Sequence, residues 1–369
     1  MNALTALQIP AGPSGVAALW RPLNEALDGR ISLGLLALQP LPTSVAALHL
    51  DEPIDDDIAV VVTTSGSTGH PKGVMCTATS LLANTSGPAY QWILALPPSS
   101  MGGLNVVLRG LHHGMEPIAA DGPIHMALPA LITRQTQFPH AISLVPTQLA
   151  MCLRDAAATA ALQQCAYVLI GGARLSPSLA EQARDLGIAL HESYGATETC
   201  GGCVTDGNPM PHTQISLETD GRIRLTGPMV TRGYRCDPKS TAAHFSGDSF
   251  LTNDVGSLDA KGRLSVLGRI DDIVPITGIN VSIHAVTDRL EAHPQVDHAY
   301  VFAAQEETHT PAIVAFVVGT PFDIAPWIDS ALGSAAIPRF HYWLDELPHL
   351  PNGKVDRQAL GEVHRGNTR

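Results

Sequence analysis

The sequence predicts an α/β protein: a large N-terminal domain of layered sheets and helices with an antiparallel β subdomain, then a small α+β domain at the C-terminus. Three observations carry this. From Ile58 to His191, short β-branched runs alternate with Ala/Leu-rich segments, the pattern of a largely parallel sheet covered by helices. From Gln214 to Leu267 the texture changes to short strands set off by Gly and Asp, as in Gly221-Arg-Ile-Arg-Leu-Thr-Gly227 and Gly262-Arg-Leu-Ser-Val-Leu-Gly268, which reads as antiparallel sheet. A boundary falls near Gly268-Arg-Ile-Asp-Asp272, dividing 1–268 from 269–369; at 369 residues the chain exceeds the usual size of one domain.

The elements follow in order. The proline-rich lead up to Pro53 gives no readable element. Ile58 to Val62 is a buried strand, and Ile93 to Leu96, Ala141 to Val145, Tyr167 to Ile170 and Ile188 to His191 continue the strand series. Between them Thr77 to Asn84, Thr147 to Arg154 and Pro177 to Leu186 read as helices. Beyond the boundary, Ala285 to His293 is an amphipathic helix, and Ala299 to Ala303 and Ala312 to Val318 are strands.

Composition narrows the function. Hydrophobic residues make up 45% and charged ones 15%, as suits a well-buried enzyme. A net charge of -12 with no clustered Lys and Arg argues against a nucleic-acid partner. The N-terminus lacks a signal-peptide pattern and no apolar run is long enough for a membrane span, so a cytoplasmic enzyme is expected. Six cysteines are scattered too irregularly for a disulfide framework. Cys200 and Cys203 have metal-like spacing but no second pair, which favours a loop of small residues over a zinc site.

Thr64-Ser-Gly-Ser-Thr-Gly-His-Pro-Lys-Gly-Val74 is the densest chemical signal. Glycines 66, 69 and 73 let backbone amides approach an anion, while Thr64, Ser65, Ser67, Thr68 and Lys72 supply donors and charge. The reading is a triphosphate cradle, and not the Walker form, which places Ser or Thr directly after Gly-Lys. Gly171, Gly172 and Ala173 end one strand, and His191-Glu-Ser-Tyr-Gly-Ala-Thr-Glu-Thr199 follows another. Open α/β sheets bind ligands at such carboxyl ends. Asp254 offers paired acceptors for two ribose hydroxyls. Arg269 adds a cation, and Lys354, on the Pro351-Asn-Gly-Lys354 turn, can be delivered by closure of the small domain.

In this order the motifs resemble the adenylate-forming superfamily of acyl-CoA synthetases, luciferases and peptide-synthetase adenylation domains. The resemblance implies that a carboxylate attacks ATP, that acyl-AMP then meets a thiol, and that the small domain is mobile. It implies Tyr194 on adenine beside Gly171 to Ala173 and Ser193-Tyr194-Gly195, Thr197 on the α-phosphate, Mg2+ on Glu198, and ribose on Asp254 and Arg269. It also implies a hinge at Asp271 and catalytic roles for Lys72, Thr68 and Lys354. Trp92 to Arg109, Ser143 to Leu149 and Thr199 to Gly207 resemble the o-succinylbenzoate–CoA ligases of menaquinone biosynthesis, particularly the compact actinobacterial type, with CoA as cosubstrate. On that resemblance Ser99, Ser100, Gly103, Arg109, Thr199 and Gly202 are expected to line the acyl site, with Gly102, Gly103 and Gly201 to Cys203 leaving room for a flat ring. Arg109 either pairs a second substrate carboxylate or is a helix-surface arginine. The chain departs from the family at Ser99-Ser100, where histidines are common, and at Pro275, which stiffens a segment expected to line the thiol channel. A ligase for another aromatic or short acyl acid, and a catalytically silent nucleotide-binding relative, are the alternatives; a homodimer is the default for a soluble enzyme.

Overall fold

The computed structural model describes residues 3–64, 71–305, 311–349 and 355–367. Its centre is a seven-stranded sheet in the order Asn208–Pro209, Gly201–Thr205, Leu190–Ala196, Tyr167–Ile170, His140–Leu144, Gln91–Leu94 and Ile118–Ala119. The last five strands of that order run parallel. Both faces are covered, which is why these strands read as unbroken apolar runs. Ile93, Ile142, Leu144, Val168 and Ile170 pack against Leu128, Leu149 and Leu162 on one face. Trp92, Leu94 and Leu104 belong to a second cluster, shared with Leu19, Leu23, Leu33, Val60 and Val62.

That second cluster joins the central sheet to a four-stranded one, in which Leu4–Ile9, Ser32–Ala37 and Ile58–Thr63 are parallel and Gly73–Thr77 is antiparallel. Half of this sheet comes from the lead in which no element is readable. The Gly12–Leu27 helix there accommodates proline in its first turn, where a missing N–H is harmless, and buries Val16, Leu19, Leu23 and Ala26 at helical spacing.

The antiparallel subdomain is observed as Gln214–Leu217, Arg222–Thr226, Ser249–Leu258, Phe245–Ser246 and Leu264–Arg269. The small C-terminal domain holds a three-stranded sheet of Val296–Gln305, Pro311–Gly319 and Phe340–Leu344. The Ile283–Glu291 and Ile324–Leu332 helices share its core through Val286, Leu290, Ile324 and Ile328. Pro275 lies in a hairpin, Ile273–Ile276 with Ile279–Ser282, whose turn residues Thr277 and Gly278 are both left-handed, the conformation that tight hairpins require. Arg174 reaches across from the large domain with two guanidinium nitrogens on the two carboxylate oxygens of Asp288.

Candidate functional site

Lys354 and the phosphate-loop residues Ser65, Gly66, Ser67, Thr68 and Gly69 lie outside the described residues, but the loop's two ends are held. Thr64 N donates to the Lys72 carbonyl at 2.9 Å, and Lys72 N donates to Thr64 Oγ1 at 3.1 Å. Thr64 therefore closes the loop with its hydroxyl. Lys72 Nζ donates to Ser240 Oγ at 2.7 Å, lies 3.5 Å from Asp237 Oδ2, and sits 4.5 Å from the centroid of the Tyr234 ring. At the other end of that ring the Tyr234 hydroxyl donates to Glu198 Oε1 at 2.8 Å. Glu198 is half-buried on the Thr197–Thr199 turn that follows Leu190–Ala196. Lys72 and Glu198, both identified from sequence, are thus linked by Tyr234, which, like Asp237 and Ser240 beside Lys72, sequence reading missed.

Tyr234 is placed by its neighbours. Met75 N donates to the Gly233 carbonyl and Arg235 N to the Gly73 carbonyl, so this segment runs beside the strand that leaves the phosphate loop. Gly233, at φ 120°, allows the path that a side chain would rarely adopt. Arg235, buried without a carboxylate, is satisfied by the carbonyls of Leu48, His49, Glu52 and Pro53. Asp237 caps the Pro238–His244 helix. Hydrogen bonds from Ser240, aided by Lys72, hold its carboxyl below the usual range.

A second cluster lies around Asp254. The Tyr194 hydroxyl donates to Asp254 Oδ2 at 2.8 Å, and Arg269 Nη1 approaches Asp254 Oδ1 at 3.7 Å. Register explains the pairing, because Asp254 stands opposite Arg269 across neighbouring strands. Burial raises the Asp254 carboxyl above its ordinary value, against the opposing effects of Tyr194 and Arg269. Burial, then the Asp254 charge, pushes the Tyr194 phenol upward. Arg269 also donates to both oxygens of Asp271 at 2.9 Å; against burial, which would raise it, Arg269 holds Asp271 below the usual range. Gly171, Gly172 and Ala173 leave the carboxyl end of Tyr167–Ile170, with the last two exposed, and Gly171 lies against Ser193. The expectation that Ser193, Tyr194 and Gly195 follow a strand is corrected. They are inside Leu190–Ala196, which turns through Thr197–Thr199 and pairs back with Gly201–Thr205.

The AMP-binding enzyme family matches residues 28–235, and its C-terminal domain family matches residues 286–354. The chain belongs to the AMP-binding enzymes. It is 37% identical to a probable 2-succinylbenzoate–CoA ligase of Mycobacterium tuberculosis over 97% of both chains. It is 28% identical to the 2-succinylbenzoate–CoA ligase of a Geobacillus strain over 85% of this chain and 70% of that one. Its fold superposes on o-succinylbenzoate CoA synthetase from Bacillus subtilis, solved with its acyl-adenylate intermediate, with a TM-score of 0.76 at 23% identity over 98% of this chain and 88% of that one. Amide bond synthetase from Marinactinospora thermotolerans superposes with a TM-score of 0.80 at 21% identity, over 98% and 90%.

In this AMP-binding enzyme several residues assigned to the acyl site from sequence are occupied by packing. Ser100 caps the Met101–His113 helix, accepting from Gly103 N at 3.3 Å and donating to the Pro97 carbonyl at 2.7 Å; Ser99, half-buried, precedes it in the same turn. A Cβ on Gly103 would overlap the Pro97 carbonyl, and one on Gly202 would overlap Ser193 Oγ. The space expected for a flat ring at these two glycines is therefore filled by protein. Thr199 is fully buried, with Oγ1 accepting from Ala196 N at 3.0 Å and bonded to the Gly201 carbonyl at 2.9 Å. Arg109 makes a contact within the fold that neither reading anticipated. Half-buried, its guanidinium stacks 4.8 Å from the Trp92 ring centroid, and desolvation pushes its pKa down to about 10. Trp92 and Tyr167 stand at the amino ends of their strands, across the sheet from the Gly171 turn. Cys200 and Cys203 are buried free thiols; burial pushes Cys203 up to about 12. Among the described residues no group of three His, Cys, Asp or Glu could hold a metal ion, and no helix is long and apolar enough to cross a membrane.

Proposed function

We propose that this chain is an ATP-dependent 2-succinylbenzoate–CoA ligase. It forms the acyl-adenylate and then the CoA ester, with AMP and pyrophosphate released, in menaquinone biosynthesis. The observation that carries the reading is the bridging of Lys72 and Glu198 through Tyr234, because a phosphate-loop cation and a hard carboxylate brought to one tyrosine suit a nucleoside triphosphate. The full-length likeness to a probable ligase of this substrate supports the choice of acid.

Asp254 accepts from the ribose hydroxyls with Arg269 beside it. Tyr194, Gly195, Ser193 and the Gly171 to Ala173 turn receive the base, and Thr197 meets the α-phosphate. Lys72, exchanging Ser240 and Asp237 for phosphate oxygens, balances charge together with Thr68 and the loop amides. Glu198 fits magnesium, since its hard oxygens need substrate phosphates to complete a coordination shell. That ion, when bound, supplies neutralisation of developing phosphate charge. The substrate carboxylate forms a bond to the α-phosphorus as the bond to pyrophosphate breaks, with Lys354 brought in by the small domain. The division at 268/269 and the hinge at Asp271 belong to this reading. Movement about the hinge then withdraws Lys354 and admits the CoA thiol, which displaces AMP. ATP and CoA being soluble, the cytoplasm is the proposed compartment.

Mass-resolved product analysis with ATP, Mg2+, CoA and an acid panel tests this. We expect o-succinylbenzoyl-CoA with AMP and pyrophosphate. A CoA ester of benzoate but not of o-succinylbenzoate would overturn the substrate, acyl-AMP without ester would overturn the acceptor, and no AMP with any acid would overturn the enzyme reading.

A further inference from the structure

Tyr234 stands between the two groups that must present opposite charges to the phosphates. It is 7% exposed, and its ring is fixed edge-on against Phe245 at 5.3 Å, with its backbone N–H on Thr241 Oγ1 at 3.0 Å. The hydroxyl donates its proton to Glu198 Oε1 at 2.8 Å. The ring face carries the Lys72 ammonium. Lys72 pairs with Asp237 and not with Glu198, although an unseparated ammonium and carboxylate in one crevice would neutralise one another.

We infer that Tyr234 is a positioning residue, which orients the Glu198 carboxylate for a divalent cation through its hydroxyl and holds the Lys72 ammonium apart from that carboxylate through its ring. The inference rests on the reading of Glu198 as the magnesium ligand. Partners that orient a ligating carboxylate are typically worth a factor of 10–100 in metal affinity. Tyr234→Phe removes the hydroxyl and keeps the ring, so it separates the two tasks.

The test is calorimetric ATP binding to the full chain, titrated with Mg2+ and repeated in EDTA. For Tyr234→Phe the Mg2+ concentration that half-maximally tightens ATP binding should rise about tenfold, while ATP affinity in EDTA stays within about twofold of the parent. In a Glu198→Gln background the same change should add nothing to the Mg2+ requirement. An unchanged Mg2+ requirement in Tyr234→Phe, or an equal loss with and without Mg2+, overturns the inference, the latter marking a purely structural residue. If Glu198→Gln raises the requirement and Tyr234→Phe does not, only the inference fails. If Glu198→Gln leaves it unchanged, the assignment of magnesium to Glu198 fails, and the inference with it.

Discussion

Glu198 and Thr199 are neighbours in the chain, yet they belong to different regions. The Glu198 carboxylate is half-buried and held by a phenol beside a lysine from the phosphate loop. The Thr199 hydroxyl is fully buried and bonded within its own turn. The same contrast separates the proposed nucleotide cluster of Lys72, Tyr234, Glu198, Tyr194, Asp254 and Arg269 from Ser100, Gly103, Thr199, Gly202 and Arg109, the set expected at the acyl site. In the first, polar groups hold one another in an arrangement a ligand can enter by exchanging partners. In the second, polar atoms and missing side chains satisfy the fold itself. Substitutions in the first region should change catalysis at constant stability, and those in the second should change stability at constant substrate affinity.

The largest effect is expected at Lys72. Removing one preorganised charge from a developing phosphoanion costs about 10²–10³ in rate, and Lys72→Ala should slow acid-dependent pyrophosphate–ATP exchange by that factor. Its ion pair with Asp237 is solvent-accessible, and such pairs contribute at most about 1 kcal/mol, so the melting temperature should hardly move. Unaltered exchange with lowered melting would break the contrast. Next comes Gly103→Ala. The added methyl meets the backbone carbonyl of Pro97, which cannot yield without moving the start of the helix; overpacking of this kind costs about 1–3 kcal/mol. Thermal unfolding should shift down by several degrees, while the KM for the acid should stay within about twofold. A raised KM with unchanged melting would return Gly103 to the acyl pocket.

The two regions also differed in what their sequences disclosed. Lys72, Glu198, Asp254 and Arg269 were legible because their motifs stand in the order of the superfamily they resemble; singly, an Asp in a Gly-rich turn reads as turn chemistry. Ser100 and Gly103 looked equally suited to a ligand, but a serine followed three residues later by a helical N–H is also an N-cap. Choosing between these needs the path of the preceding loop. Tyr234 escaped because its partners, Lys72 and Glu198, are distant in the chain, and no periodicity marks such a meeting. The sheets from Ile58 onward were legible from alternating runs. The Gly12–Leu27 helix was hidden by its prolines, although Val16, Leu19, Leu23 and Ala26 carried its spacing.

The smallest expected effect sharpens the contrast most, because Arg109 is the acyl-set residue whose chemistry best matches a dianionic acid. A charge-assisted pair with a substrate carboxylate would be worth about 1.5–3 kcal/mol, so Arg109→Met would raise the KM of o-succinylbenzoate at least about tenfold relative to a monocarboxylate such as benzoate. The geometry predicts otherwise. The guanidinium spends its face on Trp92 at the amino ends of the strands, a stacking worth about 0.5–2 kcal/mol, and methionine keeps much of that packing. The ratio of the two KM values should therefore change by less than about threefold, with a small fall in melting temperature as the visible consequence. A selective loss for the dianion would place the substrate's second carboxylate within reach of Arg109 and would require the acyl site to extend to the amino ends of the strands, away from the carboxyl ends that the Gly171 turn leaves.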